Sequence, residues 1–249
     1  MVKIFDTHAH YDDEWFDEDR SCLIESLAEG GVKKVCNIGA TLKGCTATME
    51  FIRKYDFFYG AVGIHPTEIK DLETAYDEAL EPEIYNNRAF KLIKEYAVDC
   101  DRVVAIGEIG LDYHLDDCDD IAKNRQKLWF ERQMELAREL RLPIVVHSRD
   151  AAADTMDVMK ACRAWELGGV IHCYSYSAEM AKQYVDMGFF IGVGGVVTFK
   201  NGKRLKETVA AIPLENIVLE TDAPYMAPEP FRGTRNSSLL IPKTAEAIA

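Results

Sequence analysis

The amino-acid sequence predicts an α/β fold of the (β/α)8 or TIM-barrel type, with residues 1–249 forming one domain. The chain has 249 residues, close to the usual length of such a barrel. Short apolar segments alternate along it with segments of helical periodicity, as in a parallel sheet with crossover helices. A doubly wound open sheet is the rival. It is disfavoured because no G-x-G-x-x-G motif follows the first predicted strand.

Eight predicted strands are spaced fairly evenly along the chain. Each is apolar over almost its whole length, which indicates burial on both faces of a parallel sheet. By residue number the strands cover 2–8, 32–39, 57–65, 102–110, 143–148, 169–174, 189–195 and 216–222.

Helical patterns lie between these strands. The first has an apolar stripe at Leu23, Ile24, Leu27 and Ala28 and ends at the glycine pair 30–31. Four more cover residues 89–98, 124–140, 178–187 and 203–212. The acidic segment 115–120 predicts an exposed loop. Residues 242–249 begin an eighth outer helix that would need more residues, so we expect a C-terminus that is trimmed or naturally short.

The composition predicts a cytoplasmic protein. No run of 18 uncharged apolar residues occurs, so we expect no transmembrane helix, and no secretory signal is recognisable at the start. The seven cysteines contain no C-x-x-C pair, which favours reduced thiols lying in the core. The net charge of −13 counts against a protein that coats DNA, but it is compatible with an acidic site that binds divalent metals.

Five of the six histidines lie at the carboxyl ends of predicted strands. Catalytic groups of a barrel cluster at that end, and residues i and i+2 of an extended segment point to the same side. A lone histidine or acid there is more often a core residue or part of a buried ion pair. Together, however, the group predicts a site for one or two divalent metals. Its members are His8, His10, His65, Glu108, His147, His172 and Asp222.

Three other polar residues near these positions are not assigned to the metal site. We expect Asp6 and Glu220 to hold imidazole tautomers or nearby loops. His114 lies between predicted strands and is expected on the surface.

The segments that carry these residues read DTHAH, GIHP, GEIGLDY, PIVVHSRDA, HCYS, ETDAPY and FRGTRN. In order and spacing they resemble the TatD-type metal-dependent deoxyribonucleases, a family within the amidohydrolase-like barrel hydrolases. The resemblance extends from residue 4 to about residue 248. Strand four offers Glu108 and not a lysine, which disfavours the amidohydrolases that use a carbamylated lysine.

The resemblance implies two divalent metal ions, with Mg, Mn and Zn as candidates. Asp222 would act as general base toward a metal-activated water, and Glu108 would be shared by both metals. His65 would contact the phosphate, and these three would be the catalytic residues. The implied metal ligands are His8 and His10 for the first ion, His147 and His172 for the second, Glu108 for both, and Asp222.

The implied activity is hydrolysis of ester bonds by a 3′→5′ exonuclease or phosphodiesterase acting on DNA, at single strands or 3′ ends. No membrane and no obligate protein partner is expected. A deacylase, for example of mischarged D-aminoacyl-tRNA, is the alternative, because activated water serves both reactions. A non-catalytic metal-binding scaffold is less favoured, because the ligand set is intact.

Several basic residues near the same strand ends have two open interpretations. Arg149 could bind substrate phosphate through its guanidinium fork, or form an ion pair with Asp150 or Asp154 at a helix start. The remaining residues could guide a nucleic-acid strand or form an ordinary solvated surface. They are Lys200, Lys203, Arg204, Lys206, Arg232 and Arg235.

Overall fold

The computed structural model describes residues 3–72, 87–114 and 118–249, and the predicted barrel is confirmed there. Eight parallel strands form one sheet in the order in which they occur along the chain. They are β1 (Ile4–Ala9), β2 (Val32–Gly39), β3 (Phe58–Val62), β4 (Val103–Asp112), β5 (Ile144–Arg149), β6 (Gly169–Ile171), β7 (Phe189–Val193) and β8 (Ile217–Leu219).

The sheet closes between its last and first strands. An isolated parallel bridge pairs Ala9 with Ala223. The backbone N–H groups of Thr221 and Asp222 donate to the carbonyl oxygen of His8 at 3.3 and 2.9 Å. Closure brings the carboxyl ends of all eight strands around one mouth.

Helices connect the strands and cover the outside of the sheet. Within the described ranges, no helix is both long enough and apolar enough to cross a membrane. The helices are α1 (Arg20–Glu29), α2 (Leu42–Lys54), α3 (Ile69–Leu72), α4 (Arg88–Asp99), α5 (Asp120–Leu140), α6 (Ala152–Ala161), α7 (Ala178–Asp186), α8 (Lys203–Ala211) and α9 (Ile241–Ile248).

Three of these helices, α2, α6 and the single-turn α3, are not predicted by the sequence pattern. Helix α2 contains threonines and a glycine, and α6 contains two aspartates and a threonine, all of low helix propensity. Helix α2 is nevertheless capped by Thr41, whose Oγ1 accepts from the Gly44 N–H at 2.9 Å. It buries Met49 and Ile52 against the sheet. Tertiary packing therefore outweighs local propensity in α2.

Helix α5 begins four residues before the predicted position, because Asp119 caps it. The Asp119 carboxylate accepts from the Ala122 N–H at 2.8 Å, and Asp120 opens the first turn. Residues 119–120 are thus part of a helix start and not of the predicted acidic loop. Residues 115–117 of that loop, like residue 2 of the first predicted strand, lie outside the described residues.

Strands β6 and β8 are shorter than predicted, with three residues each. Beyond them, Cys173 and Asp222 adopt left-handed backbone conformations with φ of 45° and 57°. Such conformations are uncommon for residues other than glycine and persist where the surroundings fix them. The polar ends of these two predicted strands are therefore loops at the mouth.

Side chains of β2 alternate between the outer helices and the barrel interior. Asn37 Nδ2 donates to Thr48 Oγ1 of α2 at 2.8 Å, so its neighbours Cys36 and Ile38 point inward. All seven cysteines are free, but the prediction that they lie in the core is wrong for Cys22, which is exposed.

Candidate metal centre

The residues predicted from the strand ends meet at the mouth of the barrel. The rigid sheet fixes their relative positions, because each belongs to a strand or to the loop directly after one. His8 lies in β1 and His10 follows it, His65 follows β3, Glu108 lies in β4, His147 lies in β5, and His172 and Asp222 follow β6 and β8.

Glu108 lies at the centre of this group and is 3% exposed. Its Oε2 atom is 3.5 Å from His8 Nε2 and 3.9 Å from His10 Nε2. Its Oε1 atom is 2.9 Å from His147 Nδ1 and 3.5 Å from His172 Nε2. One carboxylate therefore lies between two imidazole pairs, with one oxygen facing each pair.

Asp222 closes the group on the side of β8. Its Oδ1 atom lies 3.4 Å from His10 Nε2 and 3.7 Å from the Nε2 atoms of both His8 and His172. Its side chain is 13% exposed. Asp222 is thus within reach of both imidazole pairs and of solvent.

Groups behind the imidazoles orient two of them. His10 Nδ1 donates to the carbonyl oxygen of Ile38 at 3.0 Å, which directs Nε2 into the cluster. His172 Nδ1 lies 3.3 Å from Glu220 Oε1. That oxygen also accepts from the backbone N–H of Cys173 at 2.6 Å.

Asp6 lies behind the cluster and holds its loops. This buried carboxylate accepts from the N–H and hydroxyl of Thr221 at 3.1 and 2.7 Å and from the hydroxyl of Ser238 at 2.6 Å. It therefore connects β1 to the loop that carries Asp222.

The buried imidazoles fit divalent ions. His8 stacks on His172 with ring centroids 3.5 Å apart. Its Nε2 lies 3.1 Å from His10 Nε2, and the Nδ1 atoms of His8 and His172 have no hydrogen-bond partner among the described residues. Buried polar groups of this kind are normally paired or bound to a metal. Five sets of three ligand atoms lie within 4.8 Å of one another among the described residues, and two of them share Glu108: His8, His10 and Glu108, and Glu108, His147 and His172.

The carboxylates of the cluster are held in their ionised form. Burial alone would raise the pKa of Glu108, but His172 and His8 hold it well below its ordinary value. Against the same effect of burial, His10 and His172 lower the pKa of Asp222. Two anionic carboxylates among imidazoles form a suitable binding site for cations.

His65 differs from the other four histidines of the cluster. Its ring Nδ1 accepts from the Thr67 backbone N–H at 3.2 Å. Burial and the neighbouring His147 lower its pKa to about 3. The ring is therefore neutral with its proton on Nε2, which lies 3.9 Å from Glu108 Oε1. With this tautomer, His65 presents an N–H donor to the cluster.

Asp112 belongs to the same site and is missed by the sequence analysis. Its Oδ2 atom lies 3.0 Å from His147 Nε2, and the residue is 3% exposed. A signal for it exists, because Asp112 is four residues after Glu108 in β4 and therefore lies on the same face of the strand.

Two glutamines of α5, seven residues apart, hold the backbone at two strand ends. Gln126 accepts from the N–H of Asp112 at 2.8 Å and donates to its carbonyl oxygen at 2.9 Å. Gln133 does the same for Ile64, at 2.7 and 3.1 Å. Both side chains are buried. Helix α5 therefore fixes the backbone of Asp112 and the residue before His65.

Replacing Gln133 by leucine is expected to lower the free energy of unfolding by about 2–4 kcal/mol, because the buried N–H and C=O groups of Ile64 lose their partners. Urea denaturation would measure it. The matched control is Gln183→Leu at an exposed position, which should change stability by less than about 0.5 kcal/mol. Equal stability of the two variants would show that the Ile64 backbone finds other partners.

Arg149 does not form the ion pair considered as its alternative. Asp150 Oδ2 instead lies 2.7 Å from Nδ1 of the exposed His114. Asp154 accepts from Lys127 and from the Tyr113 hydroxyl, both at 2.7 Å. Arg149 is exposed and lines a cavity beside His147 and His172.

The other basic residues divide between structural and solvated roles. Arg235 forms a bidentate ion pair with Asp19 at 2.6 and 2.7 Å, a structural role that neither interpretation included. The guanidinium of Arg232 lies 4.3 Å from the ring centroid of Phe199. Lys203 is exposed and lies 3.6 Å from Glu207.

Comparison with known proteins identifies relatives that are described as metal-dependent hydrolases. The family model described as "TatD related DNase" matches residues 5–249. An uncharacterized metal-dependent hydrolase, YabD of Bacillus subtilis, is 41% identical over 99% of this chain and 90% of its own length. YcfH of Escherichia coli K12, described in the same words, is 31% identical over 99% and 87%.

A solved structure resembles the whole chain. The crystal structure of YJJV, a TatD homolog from Escherichia coli K12, superposes with a TM-score of 0.84 at 27% identity, covering 98% of this chain and 88% of that one. With the barrel, the cluster of imidazoles and carboxylates, and the match across nearly every residue, the chain belongs to the TatD-related DNase family of metal-dependent hydrolases.

Proposed function

We propose that the protein is a deoxyribonuclease that uses two divalent metal ions to hydrolyse phosphodiester bonds, removing nucleotides from the 3′ end of single-stranded DNA. The observation that carries the proposal is the position of Glu108, with one carboxylate oxygen facing each imidazole pair. The proposed ligands are His8, His10, Glu108, His147, His172 and Asp222.

Divalent ions bound there would polarise the phosphodiester and lower the pKa of water. Asp222 is proposed to accept the proton of the attacking water, since its ionised carboxylate lies beside both imidazole pairs and is partly open to solvent. His65 is proposed to donate its Nε2 proton in a hydrogen bond to a phosphate oxygen. Arg149 would bind the same phosphate through its guanidinium.

The donor set bears on which metal is bound. Four imidazoles and two carboxylates are borderline ligands that suit zinc, manganese or cobalt, whereas magnesium prefers oxygen ligands and keeps its waters. We therefore expect the tightest binding for zinc or manganese among the three candidate metals.

The direct test is a nuclease assay on protein stripped of metal. Magnesium, manganese, zinc or cobalt is added back with end-labelled single-stranded DNA, beside a Glu108→Ala control. The proposal predicts stepwise shortening from the 3′ end that the control lacks. Tight metal binding without DNA cleavage, together with hydrolysis of simple carboxyl esters, would contradict it and favour the deacylase.

Replacing His65 by asparagine should separate phosphate contact from metal binding. Asparagine is a good helix N-cap and can still accept from the Thr67 N–H, but it removes the Nε2 donor. We expect kcat to fall by about 10²–10³-fold, as for loss of one transition-state donor, with metal content unchanged. Metal content would be measured by mass spectrometry. Loss of metal equal to that in His8→Asn would instead make His65 a ligand.

A further inference from the structure

A cavity of about 390 Å³ opens directly beside the metal centre, between the loops that follow β5, β6, β7 and β8. Its volume lies in the range of small-molecule sites. The walls away from the cluster are mostly apolar and include Tyr174, Val196, Leu205 and Met226. The cavity shares His147, His172 and Asp222 with the cluster. A ligand group bound in the cavity would therefore be covalently next to the group bound at the cluster.

The walls of this cavity are fixed by close contacts. The Tyr174 hydroxyl donates to the carbonyl oxygen of Ser177 at 2.6 Å. A Cβ atom at Gly195 would lie 2.2 Å from the carbonyl oxygen of Met226, so the loops after β7 and β8 touch through a position that only glycine can occupy. The cavity is therefore part of the built structure of the mouth.

Arg149 supplies a cation at the edge of the same cavity. Its guanidinium has no ion pair or hydrogen bond in the part of the chain that the structure describes, and the neighbouring Asp150 and Asp154 are bound to other residues. An unpaired guanidinium beside an apolar cavity fits a ligand that carries both an anionic group and a flat organic group.

The charges on the two sides of the cluster are opposite. The cavity on the side of β1 and β3 is lined by Asp12, Asp13 and Glu68, which would repel a phosphate chain. On the other side a second cleft adjoins the first cavity and shares Tyr174 and Val196 with it. Its charged lining residues are Lys203, Arg204 and Glu207, so its net charge is positive. A polyanion that reaches the cluster therefore has one favourable path.

We propose that this cavity binds the nucleoside next to the scissile phosphate, and that the bound DNA strand leaves the cluster over Lys203 and Arg204. The inference rests on the proposed nuclease function and names the path of its substrate. The base would lie against Val196, Leu205 and Met226, and the phosphate of that nucleotide would meet Arg149.

The test measures binding and not turnover. Manganese-loaded protein is titrated against fluorescein-labelled (dT)4 whose phosphorothioate linkages slow hydrolysis, and against thymidine 5′-monophosphate. Val196→Trp, which fills the cavity, should lower the affinity for both (dT)4 and the mononucleotide by at least about tenfold, as expected for loss of a base contact. Arg149→Gln should weaken both by about tenfold or more. The double variant Lys203→Gln, Arg204→Gln should weaken (dT)4 but not the mononucleotide.

Matched controls lie at the opposite face of the barrel. Val98→Trp makes the same change on an exposed residue near the end of α4, and Lys33→Gln removes an exposed cation at the start of β2. Both should bind like the unsubstituted protein, and all variants should keep their manganese content.

The outcomes separate this inference from the nuclease proposal. Unchanged binding in folded Val196→Trp, or no binding of (dT)4 by the unsubstituted protein, overturns the subsite even if DNA is cleaved. Weakened binding in Val196→Trp and Arg149→Gln supports it. The same weakening in a protein that shortens DNA with none of the added metals would leave the subsite standing and overturn the nuclease.

Discussion

Glu108→Gln is expected to lower metal affinity by more than about 100-fold and to remove detectable nuclease activity. Loss of a group that only orients a ligand typically costs about 10–100-fold in metal affinity, and Glu108 faces both imidazole pairs directly. Glutamine keeps the shape of the side chain but not its charge. Calorimetric titration with zinc and manganese would measure the affinity, and circular dichroism would verify the fold.

The matched control for this prediction is Asp112→Asn. Asp112 is also a buried carboxylate beside His147, but it touches only one imidazole pair. We expect its loss to weaken one metal site by about 10–100-fold and to leave the pair from β1 intact. If the two variants behaved alike, Glu108 would not be the shared ligand.

Removal of metal is expected to lower the melting temperature by about 5–10 °C. One ion at 100 times its Kd stabilises the folded state by about 2.7 kcal/mol, and each kcal/mol shifts the melting temperature of a chain of this size by about 2–4 °C. Scanning calorimetry before and after chelation would measure the shift. Re-addition of zinc should restore the original value.

Glu108→Gln provides the control for the chelation experiment, because its melting temperature should not respond to chelator. An unsubstituted protein that melts at one temperature with and without metal would contradict a site built from buried imidazoles. Such a result would mean that the imidazoles are satisfied within the chain.

The sequence was sufficient to predict the barrel and the seven residues at its mouth, because two simple rules determine both. Continuous apolar runs mark strands buried on both faces, and parallel strands of a closed sheet end at the same mouth. His8, Glu108 and His147 can therefore be placed near one another without any knowledge of the helices.

The parts that could not be predicted depend on packing between elements distant in the chain. Gln126 and Gln133 reach the strand ends only because of the register of α5 against β3 and β4. The lack of an ion-pair partner for the Arg149 side chain among the described residues was equally hidden. Asp150 adopts a left-handed conformation with φ of 53° and its carboxylate meets His114, which a sequence pattern does not specify.

The most direct test of the central claim, one carboxylate between two metal sites, is anomalous diffraction from crystals grown with zinc or manganese. The account predicts two peaks at the mouth, one between Glu108 and the pair His8 and His10, and the other between Glu108 and the pair His147 and His172. A single peak, or peaks that Glu108 does not touch, would contradict it.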